Sequence, residues 1–68
     1  MNEDVFNESL RGFLKKVGIT SQREIEKAVR DAVEAGRLKG NEKLQARMVL
    51  TIGGANLTHE ISGEIALG

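Results

Sequence analysis

The residue best suited by type to move protons near neutral pH is the single histidine, His59. Chemistry at such a group needs a constellation, and the sequence offers His59 none. The chain has no cysteine and no second histidine, so a Cys–His nucleophile pair, a thiolate metal site and a histidine-rich metal site are all excluded. Serines and carboxylates are present, but no motif links them to His59. Neither "GITSQRE" nor "TIGGANL" is a phosphate loop, because no glycine-rich loop ends in Lys-Ser or Lys-Thr. Asp and Glu are spread along the chain without the spacing of a Ca²⁺ loop. The expectation is a protein that is not an enzyme and holds no cofactor or metal. His59 is expected at a sheet margin with its ring partly buried; its functional alternative is a pH-sensitive contact at a subunit edge.

The second chemistry open to the chain is phosphate binding. Formal net charge is zero, yet all ten Lys and Arg residues fall within residues 11–47, against five acids there (Glu24, Glu26, Asp31, Glu34, Glu42). A local field of one sign is compatible with a neutral whole. Arg37, Lys39, Lys43 and Arg47 run in sequence with little compensation, and they are the candidate phosphate contacts. The preceding segment argues the other way. Glu26 with Arg30, Lys27 with Asp31, and Arg30 with Glu34 are i, i+4 pairs, which make a self-neutralised solvent face. A recognition helix presents unpaired polar side chains to base edges. There is no Tyr or Trp, and Phe6 and Phe13 lie on an apolar stripe, so stacking on single-stranded bases is not expected.

The elements that would carry these residues follow from periodicity. Asn2 is a favourable N-cap, with Glu3 and Asp4 at the end of a helix where the dipole favours negative charge. Phe6, Leu10, Phe13, Leu14 and Val17 form one apolar stripe, predicting a helix over 3–17. Lys15 and Lys16 suit its C-terminal end, and Gly18 suits the left-handed position that follows. Ser21 and Glu24 form a capping box, with Thr20 an alternative cap, predicting a second helix over 21–35. Its face is Ile25, Ala28, Val29, Ala32 and Val33, and Gly36 ends it. After a connector at 36–43 the period changes to two. Leu44, Ala46, Met48, Leu50 and Ile52 predict a strand over 44–52. "GGAN" at 53–56 is a turn signal, with a two-residue loop at Gly54 and Ala55, and a return strand is predicted over 57–67. In that register Ile52 faces Leu57, Leu50 faces His59, Met48 faces Ile61, Ala46 faces Gly63 and Leu44 faces Ile65. Every member of one apolar face then has a counterpart. Ser62-Gly63 is a candidate bulge.

The predicted architecture is therefore α+β: two N-terminal helices packed on one face of a C-terminal antiparallel β-hairpin (ααββ), two layers in a single domain at 1–68. A chain of 68 residues buries only about 60% of its unfolded surface and needs a further source of stability. Without disulfide or metal, efficient packing or self-association is the expected source. A homodimer is expected through an open hairpin edge. The small-residue flank formed by Ser9 and Gly12 reads as a tolerated glycine or a contact with the second helix within the monomer, with a subunit contact as the alternative. Gly12 is off the apolar stripe in the helix interior, where it costs about 1 kcal/mol relative to alanine.

"MNEDVFN", "FLKKVG", "TSQREIEKAV" and "LKGNEKL" together resemble a family of short bacterial proteins classed as a domain of unknown function, over essentially the whole chain. That resemblance implies a small stand-alone protein of the bacterial cytoplasm and transfers no functional residue. No apolar run approaches the roughly 20 residues of a membrane span, and the acidic start lacks a signal-peptide pattern. The expected function is protein–protein contact by a self-associating, non-enzymatic, cytoplasmic protein. The alternative is weak nucleic-acid binding through 37–47.

Overall fold

The computed structural model describes all residues, Met1–Gly68, and contains one helix followed by one hairpin, an α+β chain. The helix, α1, spans Glu3–Glu34; the strands are β1 (Lys43–Ile52) and β2 (Leu57–Ala66). Backbone contacts divide the chain into two compact units, Met1–Arg37 and Leu38–Gly68.

In the first unit, Asn2 is extended and its Oδ1 accepts from the N–H groups of Asp4 (3.0 Å) and Val5 (3.1 Å). Two of the four otherwise unpaired N-terminal donors are thereby satisfied. The expected break at Gly18 is absent, and helices 3–17 and 21–35 are one element. The physical reason lies in the cost of the break. Two separate ends would leave up to eight further backbone groups without intrahelical partners, against about 1 kcal/mol for an interior glycine. Thr20 shows how the junction resolves. Its hydroxyl does not cap a new helix but donates to the Lys16 carbonyl one turn back (2.7 Å). Lys15 and Lys16 accordingly sit in mid-helix and complement no C-terminal dipole.

The helix ends where Gly36 permits. Gly36 adopts φ +80°, and its N–H donates to the Val33 carbonyl (3.1 Å) while that of Arg37 donates to Ala32 (2.9 Å). These are the paired bonds of a Schellman stop.

A longer period unites the helix. Phe6, Val17 and Ala28 recur every 11 residues, as do Leu10, Ser21 and Ala32. Leu14 and Ile25 repeat on one border of this stripe, Phe13 and Glu24 on the other. Eleven residues make three turns at 3.67 per turn, so the stripe holds its face across Gly18 with little drift.

In the second unit ten consecutive pairs join β1 and β2, from Lys43 with Ala66 to Ile52 with Leu57. Leu44–Ile65, Ala46–Gly63, Met48–Ile61, Leu50–His59 and Ile52–Leu57 are all directly opposed, as the alternation requires. The ladder runs through Ser62 and Gly63 without a bulge. The connection differs from a two-residue loop. Gly53–Ala55 form a short 3-10 turn, the Asn56 N–H donates to the Gly53 carbonyl (3.2 Å), and Asn56 takes the left-handed conformation at φ 50°. Asn tolerates that region, so the turn closes on the asparagine rather than on a glycine. Beyond the strands, the Leu67 N–H donates to the Glu42 carbonyl (2.9 Å), extending the same register by one bond.

Neither unit has a core. No residue of the chain is buried. Phe6 (45%), Phe13 (49%) and Leu14 (56%) are exposed on α1, and Met48 (43%), Ile52 (44%) and Ile61 (56%) on the hairpin.

Candidate functional site

The basic residues of the connector are distributed by the fold in three ways. Arg37 belongs to the helical unit and closes its C-terminal stop. Lys39 lies in the turn that precedes β1. Lys43 and Arg47 occupy the same face of β1, two residues of the strand period apart twice over. That face is polar. The Arg47 guanidinium lies 3.7 Å from the Glu60 carboxylate, and Gln45 donates to Glu64 across the hairpin (3.3 Å).

The turn at Lys39 carries its own anion. The Glu42 carboxylate accepts from the backbone N–H groups of Lys39 (2.8 Å), Gly40 (2.9 Å) and Asn41 (3.2 Å). Three convergent amides are the arrangement that would otherwise bind an external anion. Here the donors are taken. The bond from Lys39, joined by those from Gly40, Glu42 and Asn41, holds the Glu42 carboxyl below its ordinary value of 4.5, against a smaller opposing effect of desolvation. Glu42 is the residue that sequence reasoning missed. Its signal was available: an acid one to three residues after a Lys-Gly-Asn turn can accept from that turn's amides.

His59 is opposite Leu50 on the apolar face, in the expected register, but its ring is exposed rather than partly buried. No three of the His, Asp and Glu side chains gather as metal ligands would. Ser9 borders the apolar stripe of α1. Gly12 is helical, and a Cβ built on it would meet nothing within 4 Å, so no backbone approaches it within the chain. The i, i+4 pairs expected on the helix stay open; the polar contact there is Gln22 Nε2 donating to Glu26 (3.0 Å).

What the structure does assemble is two apolar surfaces. One is the stripe of α1 from Phe6 to Ala32. The other is the hairpin face of Leu44, Met48, Leu50, Ile52, Leu57, Ile61 and Ile65, with His59 set among them. No helix is long and apolar enough to cross a membrane.

A model of a family of unknown function, DUF6494, matches residues 1–68. The chain belongs to that family. No curated protein and no solved structure matches it. The match extends over both the helix and the hairpin, so the two apolar surfaces and the Glu42 turn all lie within the family's span.

Proposed function

We propose that this DUF6494 protein acts through protein–protein contact, as a self-associating chain without catalytic chemistry. The observation that carries this is the absence of any buried residue in a chain most of whose large apolar residues share one helix stripe and one hairpin face, with Val5, Ile19 and Val49 outside them. Burying a large apolar side chain stabilises by roughly 1.5–3 kcal/mol. An isolated two-stranded hairpin is marginal in water, and most helical stability comes from packing of the amphipathic face. Surfaces so sorted are explained by association. A second copy supplies the same surfaces in equal number and needs no other gene product.

Nucleic-acid binding through Arg37, Lys39, Lys43 and Arg47 draws less support. Glu42 occupies the amides of the turn, and Glu60 lies beside Arg47. Analytical ultracentrifugation over a hundredfold concentration range tests the proposal, with duplex and single-stranded oligonucleotides added at low salt as the second arm. Association of the protein with itself and no oligonucleotide binding is the expected result. A concentration-independent monomer, or salt-sensitive oligonucleotide binding by a monomer, overturns it.

A further inference from the structure

The central line of the α1 stripe, between its borders, is graded in size along its length. Its N-terminal members are Phe6, Leu10 and Val17; its C-terminal members are Ser21, Ala28 and Ala32. All six lie in one uninterrupted helix, and the stripe is about 39 Å long at 1.5 Å per residue. Such a gradient decides how two copies can meet. Parallel helices would set Phe6 on Phe6 and Ala32 on Ala32, forcing the axes apart at one end and leaving a gap at the other. Interaxial distance follows side-chain size over a range of roughly 8–10 Å, and gaps cost packing. Antiparallel helices remove the conflict, because each large residue then meets a small one.

We propose that two copies of α1 pair antiparallel with their two-fold axis at residue 19, so that facing residue numbers sum to 38. Phe6 then packs on Ala32 of the partner subunit, Leu10 on Ala28 of the partner subunit and Val17 on Ser21 of the partner subunit. On one border Leu14 lies beside the partner's Ile25. The 11-residue repeat carries the seam the full length with a slight right-handed twist. Opposed helix dipoles favour the same direction. Ser9 borders this seam, and Gly12 lies on the opposite side of the helix, outside it.

This inference rests on self-association, and its test separates the two. The chain has no cysteine, so single cysteines placed one at a time at Arg11, Lys15, Gln22, Glu26 and Arg30, on the polar side of the full-length protein, each take one spin label. The axial separation of the two labels in the dimer is expected to be smallest around residue 19 and to grow by about 3 Å per residue on either side. A dimer with a flat distance profile, or with its minimum elsewhere, overturns the antiparallel register while leaving self-association standing. A monomer in every variant overturns both. A size exchange provides the second readout. Leu10→Ala is expected to weaken the dimer more than about tenfold. Adding Ala28→Leu to that variant restores one large and one small residue to each contact and is expected to recover most of the loss. A double variant no tighter than Leu10→Ala overturns the pairing.

Discussion

Gly18 and Gly36 should respond to alanine with opposite signs. Both follow a run that reads as the end of a helix, but only Gly36 has a positive φ, +80°. Gly18 is within α1, and a Cβ added there would meet nothing within 4 Å. Gly18→Ala therefore removes the entropic cost of an interior glycine without steric strain, for a gain of about 1 kcal/mol per chain. For a domain of this size that is roughly 4–8 °C in Tm. Gly36→Ala forces an L side chain into the left-handed region and opposes the bonds to Ala32 and Val33. The expected loss is about 1–2 kcal/mol. The assay is thermal unfolding followed by helical circular dichroism, at one protein concentration for all variants because association makes Tm concentration-dependent. A Gly18→Ala variant that melts below the parent would mean that residue 18 stops a helix, and the continuous α1 would be refuted.

Other outcomes follow from the same structure. Glu42 has a lowered pKa when folded, so its contribution to stability is full above the ordinary carboxyl value near 4.5 and is lost as pH falls through the lowered folded value. The backbone amides of Lys39, Gly40 and Asn41 should titrate with it in nuclear magnetic resonance spectra, with a midpoint below 4.5, and Glu42→Gln should abolish that titration; a midpoint at or above 4.5 contradicts the turn. Arg47→Ala breaks an ion pair whose side chains are well exposed, so melting should change by less than about 1 kcal/mol. Leu10→Asp on the stripe should dissociate the assembly and reduce helix content, whereas Arg11→Asp on the polar side should do neither. Equal effects of the two in sedimentation would remove the stripe from the interface.

The hairpin was legible in the sequence because a period of two fixes both face and register. Once Ile52 faces Leu57, all the other pairs follow. The turn was less legible, since a four-residue connection and a two-residue loop share the same centre and differ only in where pairing stops. The single helix departs from the two that local signals predict for a physical reason. Gly18 and the Ser21–Glu24 box are strong local stop and start signals, but such signals only state a preference, and neither matches the cost of opening an established backbone ladder. The 11-residue repeat of Phe6, Val17 and Ala28 was the sequence's own statement that the helix continues. Of the candidate contact residues, Arg37, Lys39, Lys43 and Arg47 were visible by charge alone. What composition could not show is that Glu42 fills the turn between them. The partition of the chain into two units without a core was also beyond a pattern-based view. Amphipathic periodicity shows that a face must be covered and is silent on whether the cover comes from the same chain.

Sedimentation equilibrium of the full-length protein is the most direct test of the central claim. The fitted mass should be a multiple of the 7.4 kDa chain at micromolar concentration, falling toward 7.4 kDa on dilution with a parallel loss of helix signal. A mass of 7.4 kDa at every concentration, with helix and hairpin fully formed, would contradict it.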